Sequence, residues 1–174
     1  MVVEKMEVLL TAKQIEERIK ELAEKISEDY RGSKILVIGV LKGAVIFLSD
    51  LVRHLTIPVE IDFMAVSSYG ADTNSSGVVQ ILKDLEQSIK DKEVLIVEDI
   101  IDTGLTLAYL YEYLLRRGPK SLKVVTLLDK PDRRQVSFNP DYCGFKIPDR
   151  FVIGYGLDFN ENYRHLADLR VLEP

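Results

Sequence analysis

Soft metal ligands are almost missing from this chain: its 174 residues include one cysteine, Cys143, and two histidines, His54 and His165. A lone cysteine excludes an internal disulfide framework. So few Cys and His residues also exclude the usual zinc sites, which leaves oxygen as the ligand for any metal. Positive charge is short as well, with 23 Lys and Arg against 28 Asp and Glu and a formal net charge of -5. Binding to a phosphate backbone needs a positive face, so no nucleic-acid partner is expected. Long apolar runs are lacking: the stretch from Ile35 to Leu41 is far shorter than the ~20 residues that cross a bilayer. The opening MVVEKMEVLL has neither the apolar segment nor the cleavage site of a secretory signal. A cytoplasmic protein with no membrane partner is expected. Neither GxxxxGK followed by Ser or Thr nor a GxGxxG after a strand occurs, which weighs against nucleoside-triphosphate hydrolysis and Rossmann-type oxidoreduction.

What is present suits one globular domain spanning 1–174, with 47% apolar residues for its core. From Thr11 to Ser27, Ile15, Ile19, Leu22, Ala23 and Ile26 recur at helical spacing, and Thr11 with Gln14 forms a capping-box signature. KILVIGVL (34–41) is a continuous β-branched run of strand length, followed by Lys42, Gly43 and an apolar helical segment over 44–55. Strands are also expected at VEIDFMAV (59–66), VLIV (94–97), KVVTLLD (123–129) and FVIGYG (151–156). Leu107, Leu110 and Leu114 give another helix its apolar stripe, ended by Gly118-Pro119. Strands alternating with helices predict an α/β fold, a mostly parallel central sheet with helices on both faces. SSYGADTNSSG (67–77) reads as a loop, either an ordinary connection or an active-site lid.

The chemistry concentrates in VEDIIDTGLTL (97–107). At the carboxyl end of a parallel strand, Glu98 and Asp99 stand where open α/β sheets bind ligands. The following DTGLT turn offers backbone N–H groups, a helix N-terminus and the hydroxyls of Thr103 and Thr106, an anion cradle that Gly104 lets an anion approach closely. Acids beside an anion cradle would repel its ligand unless they address hydroxyl groups or a divalent cation. A phosphorylated ribose meets both demands, with its phosphate in the turn and its hydroxyls on Glu98 and Asp99. Taken singly, these residues have plainer explanations, Asp102 as a helix cap above all.

The same stretch resembles the phosphoribosyl-diphosphate-binding signature of type I phosphoribosyltransferases, and the chain is most similar to the hypoxanthine-guanine branch of purine salvage. VLKGAVIFLSDL, the SSYG loop, LLDKPDRR and FKIPDRFVIGYGLDFNENYR carry the likeness over most of the chain. The resemblance implies the type I phosphoribosyltransferase fold with a small hood and a flexible active-site loop. It implies transfer of the phosphoribosyl group from phosphoribosyl diphosphate to N9 of hypoxanthine, and of guanine, giving IMP and GMP with Mg²⁺ required. By the same resemblance Asp102 is the catalytic acid near purine N7, and Thr103, Gly104, Leu105 and Thr106 hold the 5-phosphate. Lys130 bonds the purine 6-oxo group, Phe151 stacks on the base and the Val152 backbone reads its other edge. Lys42, Gly43 and Arg164 meet pyrophosphate, Ser68 and Tyr69 belong to the closing loop, and Glu98, Asp99 and Asp158 supply the metal environment. On residue type alone, Lys130 would be solvated surface and Phe151 core. A homodimer or homotetramer is implied as well. The rival functions are a xanthine-guanine enzyme of the same chemistry and a non-catalytic regulator binding RNA or nucleotide on the same fold.

Overall fold

The computed structural model describes residues 6–68 and 79–172. Its architecture follows from β2 (Ile35–Leu41), in which every residue from Ile35 to Val40 is buried. A run that is apolar on both faces must be covered on both faces, and parallel neighbours with crossover helices achieve this. On one side β2 pairs in parallel with β3 (Val59–Ser68), and on the other with β5 (Glu93–Ile101). β6 (Ser121–Asp129) and β7 (Tyr142–Lys146) continue the parallel sheet beyond β5, and β4 (Val79–Lys83) closes the far edge antiparallel to β3. The spatial order is β4-β3-β2-β5-β6-β7.

Alternate residues of each strand feed two cores. Val37, Leu95, Val97 and Val125 point to a cluster completed by α1 (Ala12–Asp29) and α2 (Val45–His54) through Ile15, Ile19, Leu22, Ile26, Phe47 and Leu51. Leu36, Ile38, Ile96 and Val124 point the other way, onto Leu107, Leu110 and Leu114 of α3 (Leu105–Leu115). The expected layering, helices on both faces of a mostly parallel sheet, is what the chain adopts.

A second sheet joins β1 (Met6–Leu10), β9 (Leu169–Leu172) and β8 (Val152–Ile153) antiparallel, in that order. It is the small hood. The strand expected over 151–156 shrinks to Val152–Ile153, because Gly154 (φ 93), Tyr155 (φ 49) and Gly156 (φ 97) turn the chain into the left-handed region. β5 instead runs four residues beyond VLIV, to Ile101. β3 likewise extends to Ser68, so only part of the expected 67–77 loop is loop, and Tyr69 to Gly77 lie outside the described residues.

The first helix begins as its capping box predicts. Gln14 N–H donates to Thr11 Oγ1 at 3.2 Å, and Thr11 N–H donates to Gln14 Oε1 at 2.9 Å. Thr11→Ala should therefore lower unfolding stability by about 1 kcal/mol. Urea denaturation checks this, and an unchanged midpoint would show that the cap contributes nothing to α1.

Candidate active site

Chain direction places the site. The connection after β2 carries the chain outward to β3, whereas β5 leads the opposite way to β6, so a crevice opens beyond the carboxyl ends of β2 and β5. Its first wall is the turn after β2, where the Leu41-Lys42 peptide is cis. Gly43 follows, and a Cβ built on it would stand 1.8 Å from Asp99 Oδ2. A Cβ on Gly156 would in turn lie 2.2 Å from the Gly43 carbonyl oxygen. The Asp99 carboxylate and the two glycine segments thus pack at distances that tolerate no side chain on either glycine.

Glu98 and Asp99 lie within β5, half-buried, with Glu98 opposite Thr126 of β6. Burial pushes the Glu98 carboxyl well above the usual range, and the adjacent Asp99 charge adds to the rise. Asp99 is raised as well, by burial, against which the Glu98 and Ile100 hydrogen bonds and the Arg164 charge act in the opposite direction. Neither forms an ion pair among the described residues. Two adjacent desolvated carboxylates are well suited to a hard divalent cation whose remaining ligands come from substrate and water. Asp158 stands apart from them, 3.1 Å from an Arg164 nitrogen, and among the described residues no three acidic, His or Cys side chains gather into a metal site.

Beyond Ile101 the chain forms the turn in which an anion cradle is expected. Gly104 sits at φ 83 as the N-cap of α3, so Asp102 is not the helix cap that its position also allowed. Leu105 N–H donates to Thr103 Oγ1 at 3.3 Å, and the first full helical bond runs from Ala108 N–H to Gly104 O at 2.9 Å. The other N–H groups of the first turn are left for a ligand. A cavity of about 110 Å³ opens here, lined by Glu98, Ile101, Asp102, Thr103, Gly104 and Thr106. A larger surface cavity, of about 530 Å³, lies between the ends of α1 and α2, but none of the expected residues line it.

Arg134 buttresses this cup from behind. Its guanidinium donates to Asp102 O at 2.8 Å and Phe138 O at 2.9 Å, and pairs with Asp129 at 2.5 Å. Its Cδ lies where a Cβ on Gly104 would be only 2.9 Å away. The second arginine of PDRR, just past a buried strand end, was the only sequence sign of this role.

Lys130, Asp149, Arg133 and Asp102 form a chain of alternating charges. Lys130 is 6% exposed, contrary to the solvated position usual for its type, and its Nζ lies 3.8 Å from Asp149 Oδ1. Asp149 Oδ2 lies 3.7 Å from Arg133, whose Nε donates to Asp102 Oδ1 at 3.0 Å. Phe151 is not core: it is 51% exposed and meets Phe159 edge-on, with ring centroids 5.7 Å apart. Val152 is buried in β8. On the opposite side, Lys42 Nζ lies 2.8 Å from Glu161, and Arg164 donates to Gly156 O at 2.8 Å and to Glu161 at 3.2 Å. Ser68 ends β3, and Tyr69 lies outside the described residues. Sequence reasoning missed Arg133, Asp149, Phe159 and Glu161, each of which takes its place only through the folded contacts above.

The sequence pattern of the phosphoribosyl transferase domain matches residues 6–160. The chain belongs to the phosphoribosyltransferase family. It is 53% identical over 173 residues to the hypoxanthine-guanine phosphoribosyltransferase of Mycobacterium tuberculosis (strain ATCC 25618 / H37Rv), covering 96% of this chain and 86% of that one. To the enzyme of that name from Bacillus subtilis (strain 168) it is 50% identical over 167 residues, 96% of this chain and 93% of the relative. The crystal structure of a hypoxanthine phosphoribosyltransferase from Staphylococcus aureus superposes with a TM-score of 0.94 at 49% identity, covering 97% of this chain and 91% of that one. In this phosphoribosyltransferase the stretch from Val97 to Leu107 runs from the carboxyl end of β5 into the start of α3.

The Gly43 seam is directly testable. Gly43→Ala should destabilise the phosphoribosyltransferase by about 1–3 kcal/mol through overpacking. Adding Asp99→Ala should restore part of that loss, since the Asp99 carboxylate is what the new methyl meets. Strictly additive effects in denaturant melts would show that the clash lies elsewhere.

Proposed function

We propose that this chain is a cytoplasmic, Mg²⁺-dependent hypoxanthine-guanine phosphoribosyltransferase of purine salvage, folded as one domain over 1–174. The observation that carries the choice of acceptor is the buried Lys130 ammonium, in one charge chain with Asp102 beside the open ring of Phe151. A cationic donor suits a 6-oxo group, which accepts its hydrogen bond, and not the 6-amino group of adenine. The names of the relatives in Mycobacterium and Bacillus agree with this reading.

In the proposed reaction N9 of the purine bonds to C1′ of the ribose as the bond from C1′ to the diphosphate oxygen breaks, and pyrophosphate leaves with the electron pair. The proton lost from the purine is held near N7 by Asp102, whose carboxylate also opposes the positive charge that builds on the base. Phe151 stacks on the purine and the Val152 backbone reads its far edge. Thr103 to Thr106 hold the 5-phosphate on backbone N–H groups and hydroxyls. Glu98 and Asp99 take the ribose hydroxyls and, with Asp158 on the pyrophosphate side, the metal environment. Bound Mg²⁺ would supply positive charge that stabilises the leaving pyrophosphate. Lys42, the Gly43 backbone and Arg164 address the pyrophosphate itself. The resemblance also implies a homodimer or homotetramer, which sedimentation reads directly.

The deciding experiment incubates the purified protein with phosphoribosyl diphosphate, Mg²⁺ and, separately, hypoxanthine, guanine, xanthine, adenine and uracil, with chromatography of the products. IMP and GMP are expected, and no nucleotide from any 6-oxopurine would overturn the proposal. Asp102→Asn should lower kcat far more than it raises KM for phosphoribosyl diphosphate, because the acid acts on the base in the transition state. Lys130→Ala should raise KM for hypoxanthine and weaken the discrimination against adenine. An unchanged base preference would remove Lys130 from the pocket.

A further inference from the structure

Glu161 bridges two cations of the candidate site. One of its carboxylate oxygens lies 2.8 Å from Lys42 Nζ, and the other accepts from an Arg164 nitrogen at 3.2 Å. The two cations come from different places in the chain, one from the turn after β2 and the other from the segment past the hood strand β8. A single two-oxygen anion spans the gap between them. The backbone is bent to deliver it: Asn160 (φ 50) and Glu161 (φ 62) both occupy the left-handed region, and Glu161 N–H donates to Asp158 Oδ2 at 2.9 Å.

We propose that Glu161 is a built-in competitor for the pyrophosphate subsite, whose carboxylate occupies Lys42 and Arg164 in the empty enzyme and must be displaced when a diphosphate enters. This rests on the reading that those two cations bind pyrophosphate. The contacts favour exchange over permanence. The Lys42 and Glu161 side chains are 68% and 65% exposed, and ion pairs in water at that exposure are weak and readily replaced. A pyrophosphate brings more charge and more acceptor oxygens to the same cations than one carboxylate can, and charge-assisted bonds to it are correspondingly stronger. Arg164 keeps its orientation without Glu161, since it also donates to Gly156 O at 2.8 Å and pairs with Asp158 at 3.1 Å. Glu161 thus opposes binding twice over, by holding the cations and by repelling the incoming anion. The same opposition favours release of product pyrophosphate when the side chain swings back.

The sign of one measurement decides the matter. Pyrophosphate with Mg²⁺ is titrated calorimetrically into the wild-type protein and into Glu161→Gln, Glu161→Ala, Lys42→Ala and Arg164→Ala, each first shown to be folded by its thermal melt. Loss of the carboxylate should tighten pyrophosphate binding by roughly 3- to 20-fold, the range expected for releasing one exposed and one half-buried ion pair. IMP, which lacks the diphosphate, should bind with unchanged affinity. If Lys42→Ala and Arg164→Ala weaken pyrophosphate binding while the Glu161 variants weaken it too or leave it unchanged, the competitor role is overturned and Glu161 only positions the cations. If Lys42→Ala and Arg164→Ala leave pyrophosphate affinity untouched, the subsite reading beneath the proposal fails instead.

Discussion

Everything in the crevice depends on how closely Gly43 is enclosed, by the Asp99 carboxylate on one side and by the main chain at Gly156 on the other. The turn after β2 is pressed against Asp99 of β5 on one side and against Gly156 on the other, with no room for a methyl group at either glycine. That contact fixes the depth of the crevice. It also sets the distance between the carboxylates of β5 and the cations of the segment beyond β8. Glycine is required here for closeness of approach, and at Gly156 for its positive φ as well.

Around this seam the charges are arranged in partnerships that a ligand must rearrange. Arg133 engages Asp102, Asp149 lies between Arg133 and Lys130, and Glu161 engages Lys42 and Arg164. Only Glu98 and Asp99 carry desolvated negative charge without an ion-pair partner among the described residues, and their raised proton affinity is the electrostatic sign of it. A low-dielectric crevice with mismatched charge is held by the surrounding fold at some cost in stability, which is common where binding is to be strong. Arg134 differs from its neighbour Arg133 in kind: it is half-buried, held by backbone carbonyls and Asp129, and braces the turn after β5 from behind.

Continuous apolar strands and strongly periodic helices were legible in the sequence, because burial on two faces or on one stripe leaves a direct pattern. β2 and α1 are the clearest cases, down to the Thr11 and Gln14 cap. β1, β4, β7 and β9 were not legible. They are four or five residues long and lie at sheet edges or in the hood, and all but the largely buried β9 mix exposed with half-buried positions. β7 is further disguised by Gly144, which is needed because a Cβ there would stand 2.4 Å from the Leu127 carbonyl oxygen. Within the site, the signature stretch could be read from spacing, since its residues are local. Asp149 and Glu161 could not be, as their meaning lies in side chains 19 and 119 residues away.

The hood has a bearing on how the protein is made. β1 opens the chain, yet its partner is β9, with Met6 opposite Leu172. During synthesis from the amino end the large parallel sheet can collapse with its helices while β1 still has no strand to pair with. The part of the crevice built on β2, β5 and α3 thus acquires its form before the part that waits for β8 and β9. A nascent chain halted late would carry the turn after β5 without a finished roof.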